Sequence, residues 1–417
     1  MPLFIGNTSI NDNYNYTHLS FDKVSTSGVS TIGIITHPSG ANDDYFGHSV
    51  AVGSGRIVVG AANANGGESS SLGDDVNGIT DAGSALIYDL NGNYVGIITH
   101  PSAAIDDAFG QSVAVGSGKI VVGAPYDTTP TNDAGSAHIY DLNGNYVGII
   151  THPSPSVDDY FGWSVSVGSG RIVVGAPNDD VNGITDAGSA VIYDLNRSYV
   201  GIITHPNAST FDYFGWSVAA GCGRIVVGAY QDDVNGVANA GSAHIYTLNG
   251  SYVGIITHPN ATANDYFGTS VAVGSGRIVV GAYADLSAHI YDLNGNYVGI
   301  ITHPSPSAND YFGWSVSVGS GRIVVGAYGD DIGLSFQDNA GSALIYDLNG
   351  NYIGIITHSS PSANDAFGYS VAAGCGRIVI GANSDSVNNL TMGSAHIYKL
   401  NENIENYYEE IIDTYKY

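Results

Sequence analysis

Cations are scarce in this chain of 417 residues. Eleven Lys and Arg stand against 38 Asp and Glu, for a net charge of −27. A surface so acidic repels phosphate backbones, so nucleic acid is not an expected partner. Glutamate is scarcer still: 33 of the 38 acids are Asp, and four of the five Glu lie in the last 16 residues. Asp favours turns and Glu favours helices, so helix is not expected before the chain's end. No run of 18 apolar residues exists, so no segment reads as a membrane span. The opening MPLFIGNTSINDNY has neither a basic n-region nor an apolar h-region and does not read as a signal peptide. What is abundant is glycine, at 57 residues, with 43 % hydrophobic residues. The first implies many turns; the second is enough for a large core.

The abundance has a period. A Phe-Gly step recurs seven times, at Phe46, Phe109, Phe161, Phe214, Phe267, Phe312 and Phe367. Each is followed by S-V-[AS]-[VA]-G-[SC]-G and [RK]-I-V-[VI]-G-A, then a variable stretch, then S-A-x-I-Y. Most copies continue into D-L-N-G-N-Y-V-G-I-I-T-H-P. Val, Ile and Tyr dominate without a helical period, so each copy reads as four strands, A to D. Strand A is SVAVG, B is RIVVGA, C is GSALIYDL and D is YVGIITHP. Gly-Ser-Gly turns A into B, and Asn-Gly turns C into D. Strand B is apolar throughout, as a strand buried on both faces should be.

Seven such units predict an all-β fold: a seven-bladed β-propeller of four-stranded antiparallel blades. A solenoid is the competing architecture, and the chain ends decide between them. The first recognisable strand, Thr31–Pro38, is a D strand with no A, B or C before it, while the last unit, Ser370–Lys399, has no C–D hairpin. The count closes if the N-terminal strand joins the last blade, leaving no terminal edge open. The expected plan is an N-terminal arm over 1–30, the propeller over 31–399 and a C-terminal tail over 400–417. In the tail, Ile404, Tyr407, Tyr408, Ile411, Ile412 and Tyr415 follow a helical period and predict an amphipathic helix. A rival reading places YEEIIDT, residues 408–414, in the closing slot instead.

These motifs resemble the FG-GAP repeat family, whose best-known members are the propellers of integrin α chains. The closer likeness is to the bacterial and viral form, with D-[YA]-F-G-x-S-V and V-V-G-A-P; it covers residues 31–399. The resemblance implies a seven-bladed propeller used outside cells for adhesion or recognition. It does not imply calcium here. The integrin-type D-x-[DN]-x-D-G loop belongs between strands A and B, where this chain has only Gly-Ser-Gly. Asp75-x-Asn77-Gly78-x-x-Asp81 and Asp180-x-Asn182-Gly183-x-x-Asp186 have oxygen ligands at a suitable spacing, but turn chemistry is the stronger reading. No metal or cofactor is expected.

Candidate site residues follow from propeller geometry. The residue after each Phe-Gly opens strand A near the axis: His48, Gln111, Trp163, Trp216, Thr269, Trp314 and Tyr369. All three tryptophans of the chain are among them. Trp163, Trp216, Trp314, Tyr369 and His48 are the expected ligand-binding residues, suited to stacking on sugars or packing a partner; a plug of the channel is the competing reading. Seven of the eleven cations start strand B. Asp89, Asp141, Asp194, Asp292 and Asp347 end strand C on the same face, so cross-strand ion pairs are expected in five blades. The seven Asp that stand two residues before each Phe of Phe-Gly, such as Asp44 and Asp107, should accept backbone N–H bonds. The seven His ending the D strands, His37, His100, His152, His205, His258, His303 and His358, are spread around the rim, too far apart for one metal; packing is expected, and a protonation switch near pH 6 is a hypothesis. Cys222 and Cys375, three blades apart, should be free thiols.

Catalysis has little support, because every candidate acid, base or nucleophile recurs as a fold-maintaining residue does. The expectation is a non-enzymatic extracellular recognition, adhesion or assembly module. The first setting is a virion appendage or tail-fibre-associated protein that binds a cell-surface glycan or protein, attached to other virion or surface-structure proteins by its arm and tail. The alternatives are a cellular adhesin or matrix protein and a propeller glycosidase or lyase.

Overall fold

The computed structural model describes residues 28–62, 79, 81–128, 131–332 and 338–401. The expected helix over the tail, most of the arm and the Asp75 motif up to Gly78 lie outside those residues. The structure is all-β, with seven four-stranded antiparallel sheets and a two-stranded ribbon, Ser386–Val387 with Leu390–Thr391. Numbering blades by their Phe-Gly step, blade 1 runs Phe46–Gly53 (A), Arg56–Ala61 (B), Ser84–Asp89 (C) and Tyr94–Thr99 (D), paired in that order. Blades 2 to 6 repeat this order.

Blade 7 is built from both ends of the chain. Its strands A, B and C are Phe367–Gly374, Arg377–Ala382 and Ser394–Leu400, and its fourth strand is the N-terminal Val29–Ile35. That strand pairs antiparallel with strand C from Val29↔Leu400 to Ile35↔Ala395. It begins two residues earlier than the sequence pattern suggests, inside the expected arm. The ring closes as predicted, and the joint between blades 7 and 1 carries the contacts of the repeat.

Each contact follows from one repeat position. The Ser that opens strand A donates its hydroxyl to the Phe-Gly glycine carbonyl of the next blade, at 2.7–2.9 Å around the whole ring, Ser370 to Gly47 included. In six blades the Tyr of strand C donates to a Thr carbonyl on the previous blade's D strand, at 2.6–3.1 Å. All seven Phe of the Phe-Gly steps are fully buried. Strand B is buried from its second residue to its last because neighbouring blades cover both faces. At the end of strand A a glycine is required: a Cβ on Gly168 or Gly319 would strike the strand A carbonyl of Ala220 or Ala373 in the next blade.

The D strands form the outer rim and expose apolar side chains such as Tyr94, Ile97, Tyr252 and Ile300. An apolar edge invites pairing with other chains, but each D strand carries a bulge opposite the Tyr of strand C, as between Ile87 and Tyr88. Bulges of this kind bend an edge out of register with any incoming strand.

The cation positions correct the sequence reading. The registers are as expected, with Arg56 opposite Asp89 and Arg171 opposite Asp194. The ion pairs are absent. Arg56, Arg171 and Arg277 instead turn to the next blade, donating Nε–H to the carbonyl of Leu142, Leu248 or Leu348 at 2.9–3.0 Å; Arg224 and Arg377, which face Thr247 and Lys399 rather than Asp, do the same to Leu293 and Leu90 at 2.8 Å. The Asp carboxylates are already taken by the hairpin: Asp89 accepts the N–H groups of Asn91 and Asn93 at 2.8 and 2.9 Å. Those bonds, led by the Asn93 side chain, hold its pKa below the usual value. Local bonds to a preorganised turn outcompete a half-solvated guanidinium.

Candidate functional site

The Phe-Gly steps position the site. The residue before each Phe has a left-handed backbone, φ 49–56° from Tyr45 through Ala366. This kink throws the following residue toward the axis. The seven residues after Phe-Gly therefore meet at one mouth of the ring, around a depression of about 300 Å³. His48, Gln111, Trp163, Trp216, Thr269, Trp314 and Tyr369 all line it, as the sequence places them. Below it the channel continues as a space of about 290 Å³ between the Val, Ala and Ser side chains of the seven A strands.

The rings touch in series. Trp163 and Trp216 lie 4.7 Å apart, Trp314 and Tyr369 5.8 Å, and Tyr369 and His48 5.1 Å. A second tier extends the array. Tyr160, Tyr213, Tyr266 and Tyr311 occupy the left-handed positions, and Tyr230, Tyr283 and Tyr328 follow strand B. Tyr266 stacks on Tyr283 at 5.5 Å and Tyr311 on Tyr328 at 4.8 Å. Trp216 meets Tyr230 at 4.5 Å, and Trp314 meets Tyr328 at 5.3 Å. Ring contacts run without interruption from Tyr126 in blade 2 to His48 in blade 1. Sequence reasoning missed this second tier, although the Tyr of D-Y-F-G recurs in plain view; its left-handed φ is not readable from the pattern.

The two ends of the array differ. His48 and Gln111 sit side by side where the aromatics stop. Burial pushes the His48 pKa down to about 4, with the side chain of Gln111 acting in the opposite sense, so His48 is neutral near pH 7. The amide oxygen of Gln111 is buried without a partner. Burial also raises Tyr369 to about 12. The mouth is thus aromatic, uncharged and polar at one corner.

The remaining candidates are structural. Each Asp before Phe-Gly accepts a backbone N–H three residues upstream at 2.5–2.6 Å, as expected. Each D-strand His accepts, at Nδ1, the N–H two residues on. In six blades its Nε2 reaches the Asp that follows strand B, at 3.1–3.4 Å. That partner is 27 residues away and went unread in the sequence. The Asp180 loop is a turn, its carboxylate accepting the Asp186 N–H at 3.0 Å. Cys222 and Cys375 are free.

The FG-GAP repeat profile matches residues 95–140, 147–193, 198–246, 251–294, 297–346 and 353–398. The chain belongs to the FG-GAP repeat family. Each match runs from a D strand to the next C strand, one strand out of phase with the blade, which is why the propeller must borrow its first strand to complete its last sheet. A search of curated proteins finds no match. FG-GAP propellers typically act as non-enzymatic binding modules.

Proposed function

We propose that this FG-GAP propeller is a non-enzymatic recognition module that binds a neutral cell-surface glycan across its aromatic mouth. One observation carries the reading: the repeat supplies its own control. The position after Phe-Gly is structurally equivalent in seven blades, yet it holds His, Gln, Trp, Trp, Thr, Trp and Tyr. The fold accepts a threonine there, so folding does not require the tryptophans. The left-handed position likewise accepts Ala108 and Ala366 where other blades carry Tyr. Half-exposed rings around a depression, with a polar corner, are what a sugar's apolar face and hydroxyls need. The missing cations speak against an anionic ligand.

The setting we propose is a virion appendage or tail-fibre-associated protein, following the resemblance to the bacterial and viral form of the repeat. Immunolabelling of purified particles tests it.

The three tryptophans are the chain's only ones, so their fluorescence reports on this face alone. Titration with neutral oligosaccharides should shift their emission. Trp163, Trp216 and Trp314 changed together to Ala should weaken glycan-array or cell binding about 100-fold or more, at about 1 kcal/mol per ring. Undiminished binding by the folded variant would make the aromatic cluster a plug.

A further inference from the structure

The inward residue after Ser-Ala in strand C is aliphatic in three blades, Leu86, Val191 and Leu344, and histidine in the other four, His138, His244, His289 and His396. All seven are buried, the histidines at 1 % exposure. The fold accepts leucine here, and burying an imidazole instead costs free energy that some interaction must return. Hydrogen bonding returns part of it. Each Nε2 lies 2.9–3.0 Å from the strand C serine hydroxyl. But Nδ1 of His138, His244 and His289 has no partner. The serines do not need a histidine either: Ser84 and Ser342, in leucine blades, have no hydroxyl partner.

What the four histidines share is a corner. Each meets the D-strand histidine of the preceding blade edge-on, with ring centres 4.2–4.5 Å apart. The aspartate after strand B completes the corner. In His100/Asp127/His138, His205/Asp232/His244, His258/Asp285/His289 and His358/Asp385/His396, one nitrogen or oxygen from each residue lies within 4.8 Å of the others.

We propose that these four His-Asp-His corners bind Zn²⁺ or a similar borderline divalent ion, one per blade. Two imidazoles and one carboxylate form a nitrogen-rich donor set that suits zinc and leaves a fourth position for water or the serine hydroxyl. The same set does not suit Ca²⁺, which takes oxygen ligands.

The proton balance closes. Without metal, the D-strand imidazole accepts a backbone N–H at Nδ1, and in His100, His205 and His258 its Nε2 bonds the aspartate. For a metal to take the Nε2 lone pair, the ring proton would move to Nδ1, and the backbone N–H that Nδ1 accepts would be released. Nδ1 faces a second carboxylate, Oδ2 of Asp107, Asp212, Asp265 or Asp365, at 3.7–3.8 Å. A carboxylate behind the imidazole is the kind of second partner that orients ligating histidines. Blade 5 is the most open corner. Its B–C connection is only four residues, and the Asp285 side chain is 37 % exposed, against 4–10 % for the other three.

The test uses the untagged full chain, stripped with chelator and titrated with ZnCl₂ by calorimetry, with bound metal counted by mass spectrometry and Co²⁺ absorption as a ligand-field probe. Zinc uptake of up to four per chain is expected, with a rise in Tm. H289L should remove one equivalent, and H138L, H244L, H289L and H396L combined should remove all four. These variants place leucine where two sister blades already carry it. D285N, at a partly exposed residue, gives a second readout and should weaken the blade 5 site about 10-fold or more. No zinc uptake by the folded wild type, or uptake unchanged in the combined variant and in D285N, overturns the proposal.

Discussion

Deletion of residues 1–36 tests the closing joint most directly. The deletion removes strand Val29–Ile35 and its ladder with Ser394–Leu400. It strips two buried side chains, Val29 and Ile35, from the core. Each is worth about 1.5–3 kcal/mol of burial. It also removes the Thr36 carbonyl that accepts the Tyr88 hydroxyl at 3.1 Å, worth about 0.5–1.5 kcal/mol. Loss of the ladder bonds adds to this, so the total reaches a large part of the 5–15 kcal/mol that stabilises typical domains. Urea denaturation followed by far-UV circular dichroism should show a much lower midpoint or no folded baseline. A synthetic peptide of residues 28–38 should restore part of it. Ile35→Ala is the graded version: Ile35 pairs with Ala395 as Ile301 pairs with Ala288. Both substitutions should cost about 2–5 kcal/mol and should agree within error if the closing joint is a joint like any other. A deletion variant with an unchanged midpoint refutes the closure. Further removal of residues 402–417 from that variant would then show whether YEEIIDT fills the slot.

Three other outcomes follow. Arg171→Gln should cost about 1–3 kcal/mol by removing its charge-assisted bond to the Leu248 carbonyl, while a double-mutant cycle with Asp194→Asn should show coupling near zero; coupling of about 1 kcal/mol would restore the cross-strand ion pair. Metal-free protein should lose thermal stability as pH falls from 6.5 to 4. His244, His289 and His396 have folded pKa values near 3, below the ordinary 6.5, so the stability they permit is full above pH 6.5 and falls by about 1.4 kcal/mol per group per pH unit below it. Asp107 and Asp159, raised to about 6 by burial, act in the opposite sense and offset part of the loss; the combined histidine-to-leucine variant should flatten the curve, and an identical curve would refute the assignment. Gly168→Ala should destabilise by about 1–3 kcal/mol because its Cβ meets the Ala220 carbonyl, whereas Gly170→Ala, in the turn just beyond, has open space and should cost less, with only its φ of 75° to strain.

Within one repeat, the sequence was a reliable guide. Strand order, register and the Asp bonds before Phe-Gly rest on residues within one copy, and recurrence marks them; closure followed from counting the strands. Contacts between blades were not legible. Arg56 and Leu142 belong to successive copies, as do His100 and Asp127, and identical copies hide which one supplies the partner. The ion-pair expectation failed for that reason: opposite charges in register are visible in the sequence, but a backbone carbonyl across the joint is not. The mouth residues were found because symmetry puts one position of every copy at the axis. The tyrosine tier was not found because it depends on a backbone kink at a single residue.

Repetition also separates folding from function in this chain. Where seven equivalent positions carry one residue, as at Phe46 and its six counterparts or at Ser49 and its counterparts, the fold demands it, and the structure shows the demand as full burial or a bond across a joint. Where the copies diverge, the fold has already demonstrated its tolerance. Outside the variable B–C stretch, two places of divergence bear on binding. One is the mouth, where Thr269 shows that Trp163 is not required for folding. The other is the inner wall of strand C, where Leu86 shows the same of His138. The two differ in chemistry: the first is accessible, uncharged and aromatic, suited to a ligand from outside; the second is buried and nitrogen-rich, suited to an ion that would tie adjacent blades together. An experiment on either leaves the other intact, because no residue is shared between them.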